Sequence, residues 1–259
     1  MPKFAANLTM LFNEVDFLDR FKAAKEAGFK GVEYLFPYPY RASELADRLH
    51  EHGLAQVLHN LPAGDWASGE RGIACIPGRE TEFREGVDRA VEYAKALHCP
   101  QLNCLAGIAP QDVAAESIRD TFVSNLKFAA NKLKAAGIRL LIEPCNTRDI
   151  PGFYLNRSRQ ALELIEAADS DNLFLQYDIY HMQVMEGDLA PTIERNLARI
   201  RHMQLADNPG RHEPGTGEIN YAFLFDFIDE CGYAGWIGCE YKPAKTTREG
   251  LRWLTPYLD

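Results

Sequence analysis

The sequence predicts a single (β/α)8 barrel over residues 1–259, and three observations support this fold. Short runs rich in β-branched and aromatic residues alternate with longer segments of helical periodicity, and eight such units follow one another. Consecutive parallel strands need a crossover that a helix supplies, so alternating units indicate a parallel sheet. The length of 259 residues is close to the usual size of one such barrel. The alternative is an open, doubly wound sheet.

The predicted strands are the short β-rich runs. In chain order they cover residues 4–10, 31–36, 55–60, 101–105, 138–143, 173–178, 200–205 and 236–240. A helix is predicted after each strand, where apolar residues recur at helical spacing. Gly28, Gly53, Gly137 and Gly232 stand where a helix C-terminus favours a left-handed residue, and Asn220 is a predicted N-cap. The predicted helices cover about 16–27, 43–52, 80–97, 112–136, 158–168, 188–197, 221–230 and 247–257.

The longest predicted connection covers residues 61–79 and contains Trp66 and Arg71. A loop of this length in a compact domain is usually functional, often as a lid. An insertion without function is the alternative. Neither this loop nor any other carries a glycine-rich phosphate-binding motif, so no nucleotide cofactor is predicted.

Composition and charge exclude several classes of protein. With 46% hydrophobic and 25% charged residues, the chain is an ordinary globular protein. A formal net charge of −9 without a basic patch argues against binding to nucleic acid. The N-terminal residues do not resemble a signal peptide, and no apolar run is long enough to span a membrane. No pair of the six cysteines has the short spacing of a zinc site, so we expect reduced thiols in a cytoplasmic protein.

Oxygen-bearing side chains end four consecutive predicted strands: Glu143, Asp178, Gln204 and Glu240. The C-terminal ends of the strands form the active-site face of such barrels, so these four side chains should converge. Each acid follows an apolar run, and buried carboxylates that converge repel one another unless a cation binds between them. The alternative is that each acid pairs with its own Arg or Lys, or caps the following helix.

We therefore predict one divalent metal ion bound by Glu143, Asp178, Gln204 and Glu240. All four are hard oxygen ligands, which suit Mg²⁺ best and Mn²⁺ next, and which disfavour Zn²⁺. His202 lies two residues before Gln204 and shares its face of the strand. It is either a buried partner of the ligands or an ordinary core histidine.

Four further residues are predicted to bind substrate. His181 lies three residues after Asp178 and could donate a hydrogen bond to a substrate oxygen, although a solvated loop histidine has the same spacing. Arg211 follows strand seven, and its planar fork matches a carboxylate or hydroxyl group. Lys242, two residues after Glu240, and His59, near the end of strand three, complete the set.

Motifs spread over nearly the whole chain carry a family resemblance. They are Phe4 to Asn7, Val32 to Pro37, Pro77 to Arg79, Ile142 to Pro144, Asp178 with His181, His202 to Gln204, Pro214 to Gly217 and Gly235 to Pro243. In these segments the chain resembles the hydroxypyruvate isomerase family, within the xylose-isomerase-like barrels. The resemblance implies that the same four residues bind the metal and that Glu143 and Glu240 are the proton donor and acceptor. Related epimerases carry a histidine where this chain has Gln204.

The resemblance implies an aldose–ketose type isomerase that acts on a small hydroxy-carbonyl acid by proton transfer through an enediolate. Hydroxypyruvate and four-carbon 2-oxo acids are both family substrates, and the motifs do not separate them. A sugar epimerase or lyase on the same barrel is the nearest alternative. A zinc-dependent DNA-repair hydrolase would need more than the 7 histidines present and a basic face. A non-catalytic binding barrel is a third alternative, and the sequence is also compatible with a homo-oligomer.

Overall fold

The computed structural model describes residues 1–257 and contains a closed barrel of eight parallel strands. Each strand pairs with the next along the chain, and β8 closes the barrel by pairing with β1. The strands are β1 Lys3–Asn7, β2 Gly31–Glu33, β3 Ala55–Asn60, β4 Gln101–Cys104, β5 Arg139–Ile142, β6 Leu173–Asp178, β7 Ile200–Leu205 and β8 Trp236–Cys239. The predicted barrel is confirmed, and the open sheet is excluded.

Nine α-helices surround the barrel within residues 1–257. They are α1 Arg20–Glu26, α2 Ala42–His52, α3 Glu80–Ala96, α4 Ala115–Ala135, α5 Ser158–Ala168, α6 Ile179–Met185, α7 Leu189–Asn196, α8 Tyr221–Glu230 and α9 Thr247–Gly250. Two 3-10 segments, Phe17–Asp19 and Leu251–Tyr257, precede α1 and follow α9. None of the helices in this part of the chain is long and apolar enough to cross a membrane.

The structure differs from the predicted elements in several places. Strands β1 and β2 each end three residues before their predicted ends, at Asn7 and Glu33. The first and last predicted helices are each divided into a 3-10 segment and a short α-helix. Helix α6 follows β6 directly and was not predicted.

Alternation along the strands gives the barrel a solid interior beneath its C-terminal face. Ala5 and Leu141 lie two residues before Asn7 and Glu143 and therefore share their inward-facing side. They form a small buried cluster with Val57 and Leu58, separate from the main core between the strands and the helices. This apolar cluster closes part of the lower barrel, and buried polar side chains, among them Gln176 and His202, lie between it and the residues at the C-terminal end.

Candidate active site

The strand register brings the predicted ligands to one end of the barrel. Asp178 pairs with Gln204 across β6 and β7, and Gln204 pairs with Gly238 two residues before Glu240. Glu143 follows the last residue of β5. All four of these side chains are buried, with at most 7% of their surface exposed. Their burial agrees with the apolar runs that precede them in the sequence.

Three carboxylates and one imidazole meet closely enough to hold a metal ion. One potential ligand atom from each of Glu143, Asp178, His181 and Glu240 lies within 4.8 Å of the others. An overlapping group consists of Glu143, Cys145 and His181. Burial and the nearby carboxylates raise the pKa of the Cys145 thiol well above its usual value, which disfavours a thiolate ligand. The group of three carboxylates and one imidazole is therefore the one that could hold a metal ion.

Glu143 and Glu240 are held by different partners. The side-chain amide of Asn103 donates to Oε2 of Glu143 at 2.7 Å. Arg211 Nη2 donates to Oε2 of Glu240 at 2.7 Å, and Asn7 Nδ2 approaches its Oε1 at 3.3 Å. Burial raises the pKa of both carboxyl groups, to about 8 for Glu240, and neighbouring carboxylates add to the effect. Two acids this strongly perturbed in one cluster are typical of an active site.

The two carboxylate oxygens of Asp178 have different environments. Oδ1 accepts hydrogen bonds from the backbone N–H groups of Tyr180 and His181 and so caps α6. Oδ2 is buried and has no hydrogen-bond partner within residues 1–257. Burial raises the pKa of Asp178 to about 6. A buried carboxylate oxygen without a partner is costly, and a bound cation would satisfy it.

Gln204 belongs to a buried hydrogen-bond network that includes Glu33. Its Nε2 donates to Glu33 Oε1 at 2.7 Å, and its Oε1 accepts from Gln176 Nε2 at 2.7 Å. His202 Nε2 lies 2.6 Å from the other oxygen of Glu33. Because a carboxylate only accepts hydrogen bonds, Glu33 fixes the amide of Gln204 with its nitrogen toward Glu33. The oxygen of Gln204 therefore points the other way and keeps a second lone pair.

The hydrogen bonds of His181 define its tautomer. Its Nδ1 accepts from the backbone N–H of Asn146 at 3.2 Å and from Asn146 Nδ2 at 2.6 Å. That amide cannot be flipped, because its oxygen already accepts from the Asp149 N–H. Burial lowers the pKa of His181, so the ring is neutral and carries its hydrogen on Nε2. Nε2, 3.6 Å from Asp178 Oδ2, is a hydrogen-bond donor rather than a metal ligand.

Arg211 lies in a strained position beside the carboxylates. It is a non-glycine residue with φ of 55°, a conformation that side chains disfavour. Its guanidinium pairs with Glu240 and lies 3.6 Å from Asp149, and Tyr180 packs against it at 5.1 Å. Its Nε is buried without a hydrogen-bond partner in the described part of the chain. Much of the positive charge of Arg211 is thus already compensated by two acids of this chain.

A cavity of about 450 Å³ opens above the cluster. Glu143, His181, Arg211, Glu240 and Lys242 line it together with loop residues that include Trp66 and Arg71. Asp178 and Gln204 lie beneath the lining residues. Six residues were predicted to be catalytic or to bind substrate. All of them except His59 line this cavity.

His59 is not brought into this cavity. Its side chain is fully buried, and Nδ1 lies 3.1 Å from the carbonyl oxygen of Asn60, while the ring packs edge-on against Tyr38. Burial lowers its pKa to about 4, so the ring is neutral. The predicted role of His59 in substrate binding has no support in this geometry, because the side chain faces neighbouring core residues.

Polar residues also lie at the C-terminal ends of the first four strands, and none of them was predicted to belong to the site. Asn7, Glu33, Asn60 and Asn103 occupy the last or next-to-last inward positions of β1 to β4 and are all buried. Asn103 contacts Glu143, whereas Glu33 contacts Gln204. Asn60 is the one of the four that ends its predicted run, whereas Asn7, Glu33 and Asn103 lie inside theirs. The end-of-strand signal was therefore visible for Asn60 alone.

Comparisons with known proteins agree on one family. Residues 21–257 match the family model described as xylose isomerase-like TIM barrel. The chain is 57% identical to hydroxypyruvate isomerase of Escherichia coli over 99% of this chain and 100% of that protein. It is 50% identical to 2-oxo-tetronate isomerase of Cupriavidus necator over 100% of this chain and 99% of that protein. A Brucella melitensis crystal structure titled AP endonuclease, family 2, superposes with a TM-score of 0.98 at 48% identity over both whole chains.

Proposed function

The chain belongs to the xylose isomerase-like TIM-barrel family and is an isomerase, and we propose that it is metal-dependent and acts on a small hydroxy-carbonyl acid. The substrates we propose are hydroxypyruvate, converted to tartronate semialdehyde, or a four-carbon 2-oxo acid. The observation that carries this proposal is the meeting of three buried carboxylates and a neutral imidazole at the floor of one cavity.

We propose that Glu143, Asp178, Gln204 and Glu240 hold one divalent cation, Mg²⁺ or Mn²⁺. The unpartnered Oδ2 of Asp178 supports this, as do the raised carboxyl pKa values and the Gln204 amide oxygen directed away from Glu33. His181 is left out of the ligand set because its Nε2 carries a hydrogen. When bound, the cation would polarise the substrate carbonyl and stabilise developing negative charge on oxygen.

Glu143 and Glu240 are the proposed proton-transfer residues because they line the cavity, whereas Asp178 and Gln204 lie beneath it. One of these two glutamates removes the proton from the carbon that bears the hydroxyl group. The other glutamate, in its protonated form, returns a proton to the adjacent carbon. Within residues 1–257, Oε1 of Glu143 accepts no hydrogen bond from the protein, since Asn103 contacts only Oε2. His181 Nε2 donates a hydrogen bond to a substrate oxygen and stabilises the negative charge that forms there.

Product analysis in deuterated water tests this function. Metal-stripped protein should be inactive with hydroxypyruvate and with four-carbon 2-oxo acids, and added Mg²⁺ or Mn²⁺ should restore isomerisation. Some solvent deuterium should appear at the carbon that receives the proton. Full activity after metal removal contradicts the metal site. Complete internal transfer of hydrogen, with Glu143→Gln and Glu240→Gln still active, contradicts proton transfer by the two glutamates. Cleavage of abasic DNA in place of isomerisation would indicate an endonuclease, the activity for which the Brucella melitensis protein is named.

A further inference from the structure

The cationic side chains that line the cavity are not equally available to a ligand. Arg211 is paired with Glu240 and lies near Asp149, so these two carboxylates largely compensate its positive charge. Arg71 forms no ion pair with a carboxylate among residues 1–257, although Glu70 precedes it in the chain. The Glu70 carboxylate is instead paired with Arg79. Arg71 therefore brings an uncompensated positive charge to a cavity whose lining contains three acids.

Arg71 is also held in place before any ligand binds. Its guanidinium stacks on the ring of Trp66 at 4.1 Å, and that ring packs edge-on against Phe36 at 5.0 Å. Nη1 donates to the backbone carbonyls of Trp66 at 3.1 Å and Glu70 at 2.7 Å. Nε and Nη2 make no hydrogen bond within the described residues, so one edge of the planar fork remains for a ligand. A preorganised fork loses little conformational entropy when it binds a planar anion.

We infer that Arg71 binds the carboxylate of the substrate and makes this isomerase select acids over uncharged sugars. The inference rests on the proposed function and adds a specificity determinant to it. Glu143, Asp178 and Glu240 carry three negative charges, and the proposed divalent cation and Arg211 together balance them, so no positive charge is left over for the carboxylate of an acid. Arg71 supplies that charge and, through its open edge, orients the carboxylate by two parallel hydrogen bonds. Lys242 also lines the cavity, but its side chain is exposed, and an ammonium group is a point charge without a planar fork.

The test compares an acid with its uncharged analogue in wild type and in Arg71→Met. Hydroxypyruvate and dihydroxyacetone undergo the same isomerisation and differ in having a carboxylate or a CH2OH group. Dihydroxyacetone is followed as a substrate or as a competitive inhibitor of hydroxypyruvate. Arg71→Met should lower kcat/KM for hydroxypyruvate by about 10- to 100-fold, the loss expected for hydrogen bonds to a charged group. Its effect on dihydroxyacetone should be under about threefold, and Arg71→Lys should recover part of the loss.

Arg89→Met is the matched control. Arg89 also stacks on an aromatic ring, that of Tyr38 at 4.9 Å, and donates to a backbone carbonyl, but it is exposed and lies outside the cavity lining. Arg89→Met should leave kcat/KM for hydroxypyruvate and the kinetic constant for dihydroxyacetone unchanged. Equal losses for both compounds in Arg71→Met would assign Arg71 a structural role and overturn the inference. A selective loss in Lys242→Met alone overturns it as well. If wild type isomerises neither hydroxypyruvate nor a four-carbon 2-oxo acid, the proposed function is contradicted. Calorimetric binding of hydroxypyruvate to wild type and to Arg71→Met still tests the role of Arg71 separately.

Discussion

Glu33 is fully buried beneath the proposed metal site, and three side chains contact its carboxylate. Asn7 and Gln204 donate to Oε1, at 3.0 and 2.7 Å, and His202 lies against Oε2. Gly238, on β8, leaves the space that this carboxylate occupies, since a Cβ atom there would overlap it. Glu33 thus fixes the orientation of the Gln204 amide beside the proposed metal site, and we propose a positioning role for it.

Removing the carboxylate of Glu33 should weaken metal binding without removing a ligand. In Glu33→Met the Gln204 amide loses its fixed orientation, and loss of such an outer partner typically costs about 10- to 100-fold in metal affinity. Calorimetric titration of the metal-free protein with Mn²⁺ measures this directly. Glu33→Gln keeps one acceptor for Gln204 and should bind more tightly than Glu33→Met. Gly238→Ala should weaken binding too, because it displaces the carboxylate. Wild-type Mn²⁺ affinity in both Glu33→Met and Gly238→Ala would contradict the positioning role.

The sequence predicted the proposed ligands because each comes at the end of a predicted strand, and the three acids follow apolar runs. It did not predict the contact of Glu33 with Gln204, which depends on which strands face each other across the closed barrel. Nor did it predict the contact of Asn103 with Glu143, which depends on the register of the neighbouring strands β4 and β5. The tautomer of His181 was equally hidden, because Asn146 is far from it along the chain and reaches Nδ1 only through the loop after β5. The local sequence pattern was enough to identify the candidate residues. It was not enough to predict how their side chains are oriented toward one another.

At the scale of elements, the long loop after β3 is joined to the loop after β4 by backbone contacts. The Cys75 N–H donates to the Ala106 carbonyl at 2.9 Å. Gly72 and Gly107 approach each other so closely that a Cβ atom on either would overlap the backbone of the other loop. Gly72 also has φ of 116°, which side chains disfavour. This junction fixes the segment that carries Trp66 and Arg71 over the cavity.

Gly72→Ala should therefore disturb substrate binding more than a comparable change elsewhere in the loop. We expect kcat/KM for hydroxypyruvate to fall by about 10- to 100-fold, since small displacements of a positioning segment have effects of this size. Limited proteolysis should show faster cleavage within residues 61–79. Gly69→Ala is the matched control, because Gly69 also has a positive φ, of 98°, but among the described residues beyond its chain neighbours no atom lies within 4 Å of its added Cβ. Equal effects of the two substitutions would show that φ strain alone, rather than the loop junction, is responsible.

Helix α6 shows why one element escaped prediction. Its first four residues, Ile179 to Met182, are all buried, so the segment lacks the alternation of apolar and polar faces that marks a surface helix. It begins directly at Asp178 without a connecting loop, and the side chain of that residue is its cap. The other helices were predicted because one face of each contacts the barrel and the other faces solvent.

At the scale of the whole molecule, the barrel was predictable because a repeated local pattern determines it. Eight strand–helix units give a parallel sheet in sequential order, and closure of β8 onto β1 leaves no unpaired edge. Closure also concentrates acids from β2, β5, β6 and β8 in one buried volume. The fold thereby creates electrostatic repulsion that no single strand shows, and this repulsion should be measurable as a property of the entire metal-free protein.

The metal-free protein should lose stability as the pH rises, and Glu143→Gln should reduce this loss. The pKa values of Asp178, Glu240 and Glu143 are raised, from 3.8 to about 6 for Asp178 and from 4.5 to about 8 for Glu240. At a pH between the ordinary and the raised pKa of these groups, the folded state binds more protons than the unfolded state. The free energy of unfolding therefore falls as pH rises from about 4 to about 8. Glu143→Gln keeps the shape of the side chain and its contact with Asn103, and it removes one of the repelling charges.

Thermal denaturation of the metal-free proteins at several pH values measures the difference. We expect Glu143→Gln to melt above wild type at pH 8 and to differ less at pH 5, with about 2–4 °C for each kcal/mol gained in a chain of about this size. Glu240→Gln provides the contrast, because it also breaks the pair with Arg211 and leaves that buried guanidinium with only Asp149. Added Mg²⁺ or Mn²⁺ should stabilise wild type more than either variant, because both lose a ligand charge. A lower melting temperature for Glu143→Gln at every pH would mean that Glu143 stabilises the fold by itself, and the cation would then not be needed to balance the cluster.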